Sequence, residues 1–139
     1  MTVVFDTNII IDILAQRQPF YSDSFQSMCI CNGDSMTACI TSNTVTDIAY
    51  ILHRYGHGKV QIKEILLKLF SLVEILAVDS ADCRNAVLSS IEDFEDSVLI
   101  ECAFRHKANY IITRNINDYT AAKLEAITPK DFINMSKLR

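Results

Sequence analysis

The sequence predicts an α/β protein whose helices cover both faces of a mainly parallel central sheet, a three-layer α/β/α arrangement. Short apolar runs rich in β-branched residues alternate with amphipathic helical stretches from one end to the other. Parallel strands need crossover helices, which come to lie on both faces of the sheet. At 139 residues, half of them hydrophobic, the chain can fill one core well and is too short for two, so a single domain over 1–139 is expected.

Thr2 to Phe5 is the first strand, stopping at Asp6-Thr7-Asn8, where a helix carrying Ile9, Ile10, Ile13 and Leu14 begins. Pro19 opens a second helical segment, with Phe20, Phe25, Met28 and Cys29 as its apolar positions, ending near Asn32-Gly33. Ala38-Cys39-Ile40 is a second strand, and Thr41 or Ser42 caps a helix with the stripe Val45, Ile48, Ala49, Leu52, closed by Gly56 and Gly58. Lys59 to Leu72 repeats the helical pattern, and Val73 to Val78 suits a buried strand. Ser80 is expected to cap a short helix. A further helix runs from about Asp93 to Lys107, Tyr110 to Thr113 forms a strand, and Pro129 starts a terminal helix through Phe132 and Ile133. The Met and Phe positions read as core.

Thirteen basic against seventeen acidic residues give a net charge of −4, which excludes the strongly basic signature of an architectural nucleic-acid binder. It does not exclude a nuclease, because metal-binding carboxylates weigh on the total until cations fill their site. There is no internal repeat or low-complexity segment, and only three Gly and two Pro. No apolar stretch approaches the roughly 18 residues of a membrane span, and no signal sequence is apparent, so a soluble cytoplasmic protein is expected. The five cysteines, Cys29, Cys31, Cys39, Cys83 and Cys102, form no C-x-x-C pair and read as small buried hydrophobes in a reducing compartment. His53, His57 and His106 lack the spacing of a zinc site.

Aspartates placed where apolar elements end carry the chemistry. Asp6 follows Val3-Val4-Phe5, Asp47 lies inside an apolar helix, Asp96 closes Asp93-Phe94-Glu95-Asp96, and Asp118 follows Ile111-Ile112-Thr113-Arg114-Asn115. Burying a charge is costly, so several carboxylates joined to core-forming segments point to a shared polar site. Hard divalent cations are bound by such oxygens. In a parallel sheet ligands bind beyond the carboxyl ends of the strands, which brings Asp6 and Asn115 to the same edge. Each residue also has a plainer reading. Asp6 could cap the helix after it, Asp93 to Asp96 could be a cap gaining from the helix dipole, Asp47 could pair with Arg54, and Glu92, Asp93 and Glu95 could be a solvated helix start. Arg54, Lys59, Lys63 and Lys68 read as a solvated face unless they lie near the acidic edge.

The order Val-Val-Phe-Asp6-Thr7-Asn8, then Thr44-Val45-Thr46-Asp47, Asp93-Phe94-Glu95-Asp96, and Ile-Ile-Thr113-Arg114-Asn115 with Asp118-Tyr119, resembles the PIN-domain nucleases. It is similar to the bacterial branch that includes the VapC-type toxin ribonucleases. The resemblance covers nearly the whole chain, down to Thr128-Pro129-Lys130-Asp131-Phe132. It implies an α/β/α domain with a carboxylate pocket for Mg²⁺ or Mn²⁺, hydrolysis of RNA, an antitoxin protein as partner, and a homodimer. The site residues carried over are Asp6, Asp47, Asp96 and the segment from Asn115 to Asp118. Many relatives carry Glu in place of Asp47 and an acid in place of Asn115, so Asp118 supplies the missing charge or the second metal position is weak.

On this reading Asp6 and Asp96 are primary metal ligands, Asp47 binds directly or through water, and Asp118 or Asn115 serves the second position or orients water. Asn8 and Thr113 hold the carboxylates by hydrogen bonds, and Arg114 grips a substrate phosphate bidentately. The expected activity is metal-dependent endoribonuclease cleavage. The alternative is a PIN-fold RNA-binding or partner-binding module with weak or no catalysis. A phosphotransferase using Asp6 as covalent nucleophile, as haloacid-dehalogenase-like phosphatases do, ranks last because a second Asp is then expected where Asn8 stands.

Overall fold

The computed structural model describes residues 1–138. Five strands, β1 (Thr2–Phe5), β2 (Thr37–Thr41), β3 (Glu74–Leu76), β4 (Tyr110–Ile112) and β5 (Glu125–Ile127), form one sheet in the order β3-β2-β1-β4-β5, and every pair is parallel. Among the described residues six helices connect them, α1 (Thr7–Leu14), α2 (Tyr21–Gly33), α3 (Ser42–Arg54), α4 (Lys59–Phe70), α5 (Ser80–Val87) and α6 (Phe94–Arg105), and α7 (Pro129–Ser136) follows β5. A short 3₁₀ turn spans Ile116–Tyr119.

The central strand β1 is apolar along its length because both its faces are covered. Val3 and Phe5 point into one core with Ala38, Ile40 and Ile112, packed by Ile9, Met28, Ile48, Leu52 and Phe132 from α1, α2, α3 and α7. Val4 points the other way with Cys39 and Ile111, against Leu99, Ile100 and Ala103 of α6 and the ring of Tyr119. The register sets Val4 beside both Cys39 and Ile111, so the alternation along each strand agrees across the sheet. The expected three layers are therefore present, and the sheet is wholly parallel.

Several element boundaries differ from the sequence reading. The α5 cap is Asp79, not Ser80: the Asp79 side chain accepts from the Asp82 amide and Asp82 accepts from the Asp79 amide, a reciprocal capping box. The third strand is only Glu74–Leu76. The fifth strand was not expected at all, since Glu125-Ala126-Ile127 has little β propensity and forms by pairing with β4. Thr128 caps α7, accepting from the Asp131 amide at 3.1 Å, with Pro129 at the first helical position as anticipated. Gly56 takes φ of 94° just past α3, a left-handed conformation that closes a helix and that a β-carbon disfavours.

Not all large apolar residues are core. Phe25, Phe94 and Phe104 are exposed, whereas Phe5 and Phe132 are fully buried. Cys31, Cys39 and Cys102 are buried as expected, and burial pushes their thiols up to about 12, 11 and 12 respectively, away from thiolate chemistry. Cys29 and Cys83 are exposed, contrary to the expectation of burial. Among the described residues no helix is long and apolar enough to cross a membrane.

Candidate functional site

The chain lays down β1, β2 and β3 in one direction across the sheet, then returns to place β4 on the other side of β1. This reversal opens a crevice at the carboxyl ends of β1 and β4. Asp6 occupies it directly after β1, its backbone N–H donating to the Ile112 carbonyl at 3.0 Å. Asp6 stands at the N-cap position of α1, yet its side chain makes no capping hydrogen bond. Instead the hydroxyl of the fully buried Thr113, immediately after β4, donates to Asp6 Oδ2 at 2.9 Å. The same Thr113 oxygen accepts from the Asn115 amide at 3.1 Å, so one side chain fixes both the carboxylate and the turn that follows β4.

The crevice widens into a cleft lined by Asp6, Asn8, Asp47, Asp96, Asn115 and Asp118, which brings together every carboxylate singled out in the sequence. Asp47 comes from α3, Asp96 from the first turn of α6, and Asn115 and Asp118 from the segment after β4. Two further acids join them. Asp93 caps α6 by accepting from the Asp96 amide at 2.9 Å, and Glu95 faces the cleft as well. The solvated helix start read from the sequence is therefore partly a wall of the cleft. The Asp96 carboxylate accepts a hydrogen bond at 3.1 Å from the hydroxyl of Tyr119, a buried residue.

This crowding makes the negative charges costly. Burial raises the proton affinity of Asp6, opposed by the Thr113 hydroxyl, the Thr7 amide and the Arg114 charge. Asp96 is pushed up to about 6, first by burial and then by the charges of Asp6 and Asp93, against the Tyr119 hydrogen bond. Glu95 is raised chiefly by the charge of Asp47, and Asp47 by burial. Among the described residues no lysine or arginine forms an ion pair with any of these acids.

An all-oxygen, multiply anionic cleft without histidine or cysteine has the donor chemistry of Mg²⁺ or Mn²⁺ and not of zinc. Among the described residues no three acidic, histidine or cysteine side chains already converge as a ligand group, so the carboxylates share a cleft without sharing a point. The donor set matches a hard cation by type and charge, its acids being Asp6, Asp47, Asp93, Glu95, Asp96 and Asp118.

Two expected roles are not seen. Arg114 does not line the cleft; its guanidinium donates to Asp12 through Nε (2.8 Å to Oδ2) and Nη2 (3.2 Å to Oδ1) and lies 3.7 Å above the Phe20 ring. The reason is Asp12, a fully buried charge that must be paired and that also takes Arg17 at 2.8 Å. Asn8 reaches the cleft, but its side-chain oxygen faces Arg17 at 3.5 Å and does not hold a carboxylate. Asp47 forms no ion pair with Arg54, the plainer role open to it. Sequence reasoning gave no role to Tyr119 or Asp12 and left Glu95 in a solvated helix start. Asp12 alone left a signal, a charge inside the apolar run Ile9-Ile10-Ile11-Asp12-Ile13-Leu14.

A sequence model of the PIN domain matches residues 2–117. No curated protein sequence matches the chain. Among solved structures, the chain is similar to VapBC2 from Rickettsia felis bound to a promoter DNA fragment, with TM-score 0.72 and 18% identity over 92% of this chain and 98% of that one. It is similar to a toxin-antitoxin complex from Klebsiella pneumoniae, with TM-score 0.68 and 21% identity over 91% and 97%. It is also similar to Mycobacterium tuberculosis VapC20, a sarcin-ricin-loop-cleaving toxin, with TM-score 0.63 and 10% identity over 78% and 86%. At these identities the structural likeness concerns the fold. The sequence match, which spans β1 to the turn after β4, establishes that the chain belongs to the PIN domain family.

Proposed function

We propose that this protein is a metal-dependent endoribonuclease and the toxin half of a toxin-antitoxin pair, working as a single domain over 1–139. One observation carries the reading: Asp6, Asp47, Asp96 and Asp118, from four separate parts of the chain, line one cleft in which, among the described residues, none of them forms an ion pair with a basic side chain. Stability alone gives no reason to gather unpaired acids at a sheet's switch point. A toxin-antitoxin complex and a sarcin-ricin-loop-cleaving toxin are among the structurally similar proteins, which supports the biological half of the proposal.

An RNA phosphodiester is anionic and resists attack by water. A bound Mg²⁺ or Mn²⁺ supplies phosphate neutralisation, an activated water and stabilisation of the departing oxygen. The chain's part is to hold that chemistry still. Thr113 fixes Asp6 and Tyr119 fixes Asp96, so the two acids nearest the switch point present their remaining oxygens in set directions. Asp47 would offer its carboxylate from α3 to such a cation, and Asp118, or Asn115, would orient water or add a further oxygen. Asp6 is buried at the base of the cleft, and Asp47 and Asp96 are half-buried, so these three charges are screened less than the exposed Asp118.

Purified protein incubated with RNA and Mn²⁺ or Mg²⁺ should release fragments, and Asp6→Asn or Asp96→Asn should abolish release while leaving the fold intact. Full activity in both variants, or none in the natural chain with either metal, would overturn the proposal; inactivity of the natural chain would leave the non-catalytic module as the better account. Cytoplasmic action on RNA, an antitoxin that covers the cleft, and a homodimer formed through α2 belong to the same reading.

A further inference from the structure

Tyr50 is on the rim of the acidic cleft and has no structural task there. It sits in α3 three residues after Asp47, lines the cleft, and is 62% exposed, while Ile48 and Leu52 on either side take the fully buried positions of the helix. The exposed Arg54, four residues further along the same helix, places its guanidinium 5.9 Å from the Tyr50 ring centroid. An aromatic face braced by a cation thus stands where the carboxylate wall meets open solvent.

RNA arriving at this cleft meets like charge. Its phosphates are repelled by Asp47, Glu95 and their neighbours wherever a metal does not neutralise them, so part of the affinity must come from a contact indifferent to that charge. Base stacking on an aromatic ring is such a contact, and an adjacent arginine adds cation–π attraction and a phosphate partner. Resting on the nuclease reading above, we propose that Tyr50 and Arg54 form a nucleobase subsite: an unpaired base of single-stranded RNA stacks on Tyr50, and Arg54 takes the phosphate beside it. The subsite selects single-stranded over duplex RNA, because bases inside a helix already stack on one another and offer no free face.

The chain contains no tryptophan, so Tyr50→Trp creates a single fluorescent reporter at the subsite. In an Asp96→Asn background, where cleavage does not interfere, a short single-stranded oligoribonucleotide should quench this emission, and the same sequence annealed into a duplex should not. By fluorescence anisotropy in that background, Tyr50→Phe should bind like Tyr50, Tyr50→Leu should bind about tenfold more weakly, and Arg54→Gln should bind more weakly with a shallower salt dependence. In the cleaving protein, Tyr50→Leu should raise KM and leave kcat near its natural value. Equal quenching by duplex, native affinity in Tyr50→Leu, or a change of molecular mass in that variant by light scattering, which would assign the ring to a protein interface, would each overturn the subsite. Absence of cleavage by the natural chain bears on the nuclease reading instead, since the binding measurements need no turnover.

Discussion

Asp12 and Arg114, 102 residues apart, form a two-bond ion pair that ties α1 to the turn after β4. Asp12 is fully buried and is shared with Arg17 and with the Ser24 hydroxyl at 3.3 Å, so its charge is compensated on every side. Deleting Asp12 takes away the shared acceptor of Arg114 and Arg17, which remain partly hydrated, so the loss is that of several charge-assisted hydrogen bonds, each worth about 1.5 kcal/mol or more. Asp12→Ala should therefore lower the urea unfolding midpoint markedly. Arg114→Lys should fail to restore stability, because an ammonium cannot reproduce the fork of two bonds or the stacking on Phe20. An unchanged midpoint in Asp12→Ala would show that the pair contributes nothing.

Stability should depend on pH with a sign set by the cleft. The folded-state affinity of Asp96 for its proton lies at about 6 against an ordinary value of 3.8, so between these values the folded protein holds a proton that the unfolded chain has released. This contribution weakens the fold as pH rises from about 4 to 6 and is fully unfavourable above 6. The metal-free protein should gain from the cleft on mild acidification, and Asp96→Asn should flatten the dependence. Mn²⁺ competes with protons for the same oxygens, so it should raise Tm more at pH 7 than at pH 5. A melting temperature indifferent to Mn²⁺ at both pH values would count against any cation site.

Asn115 and Asp118 both line the cleft, one on each side of the 3₁₀ turn's first residues. If Asp118 supplies the charge that Asn115 lacks, Asp118→Asn should reduce cleavage severely, and Asn115→Asp should preserve or raise it. A silent Asp118→Asn together with a strongly activating Asn115→Asp would assign the position to residue 115 instead. Rates and Mn²⁺ affinities of the two variants, measured side by side, decide between them.

On α2, Tyr21 and Phe25 stack with ring centroids 5.6 Å apart, and Phe25 and Phe20 stay partly exposed while Met28 turns into the core. The exposed rings of Phe20 and Phe25, with the half-buried Tyr21 beside them, suit a two-fold contact with another copy. Light scattering should give a dimer mass, and Phe25→Asp should reduce it to that of one chain with little loss of secondary structure. A natural chain that scatters as a monomer would exclude the contact.

The strands β1, β2 and β4 were legible because each is an apolar, β-branched run covered on both faces. β5 was not, because Glu125-Ala126-Ile127 acquires its conformation from β4 and not from its own residues. Among the acids, Asp6, Asp47, Asp96 and Asp118 stood out as charges attached to core-forming segments, and the structure brings the four to one cleft. Glu95 did not stand out, since an acid in a helix's first turn is sufficiently explained by the dipole. Arg114 was assigned to substrate because its neighbours Thr113 and Asn115 face the cleft; alternation along an extended segment sends it the other way, toward an Asp12 whose position only the tertiary fold reveals.

The reversal of strand order has a consequence for synthesis. β1 leaves the ribosome first but needs β4 as a neighbour, and Asp6 gains its Thr113 hydrogen bond only when residue 113 has emerged. Non-local parallel pairing of this kind closes late in folding. A nascent chain therefore carries Asp6 without the other carboxylates of the cleft around it until the segment through Asp118 has cleared the tunnel.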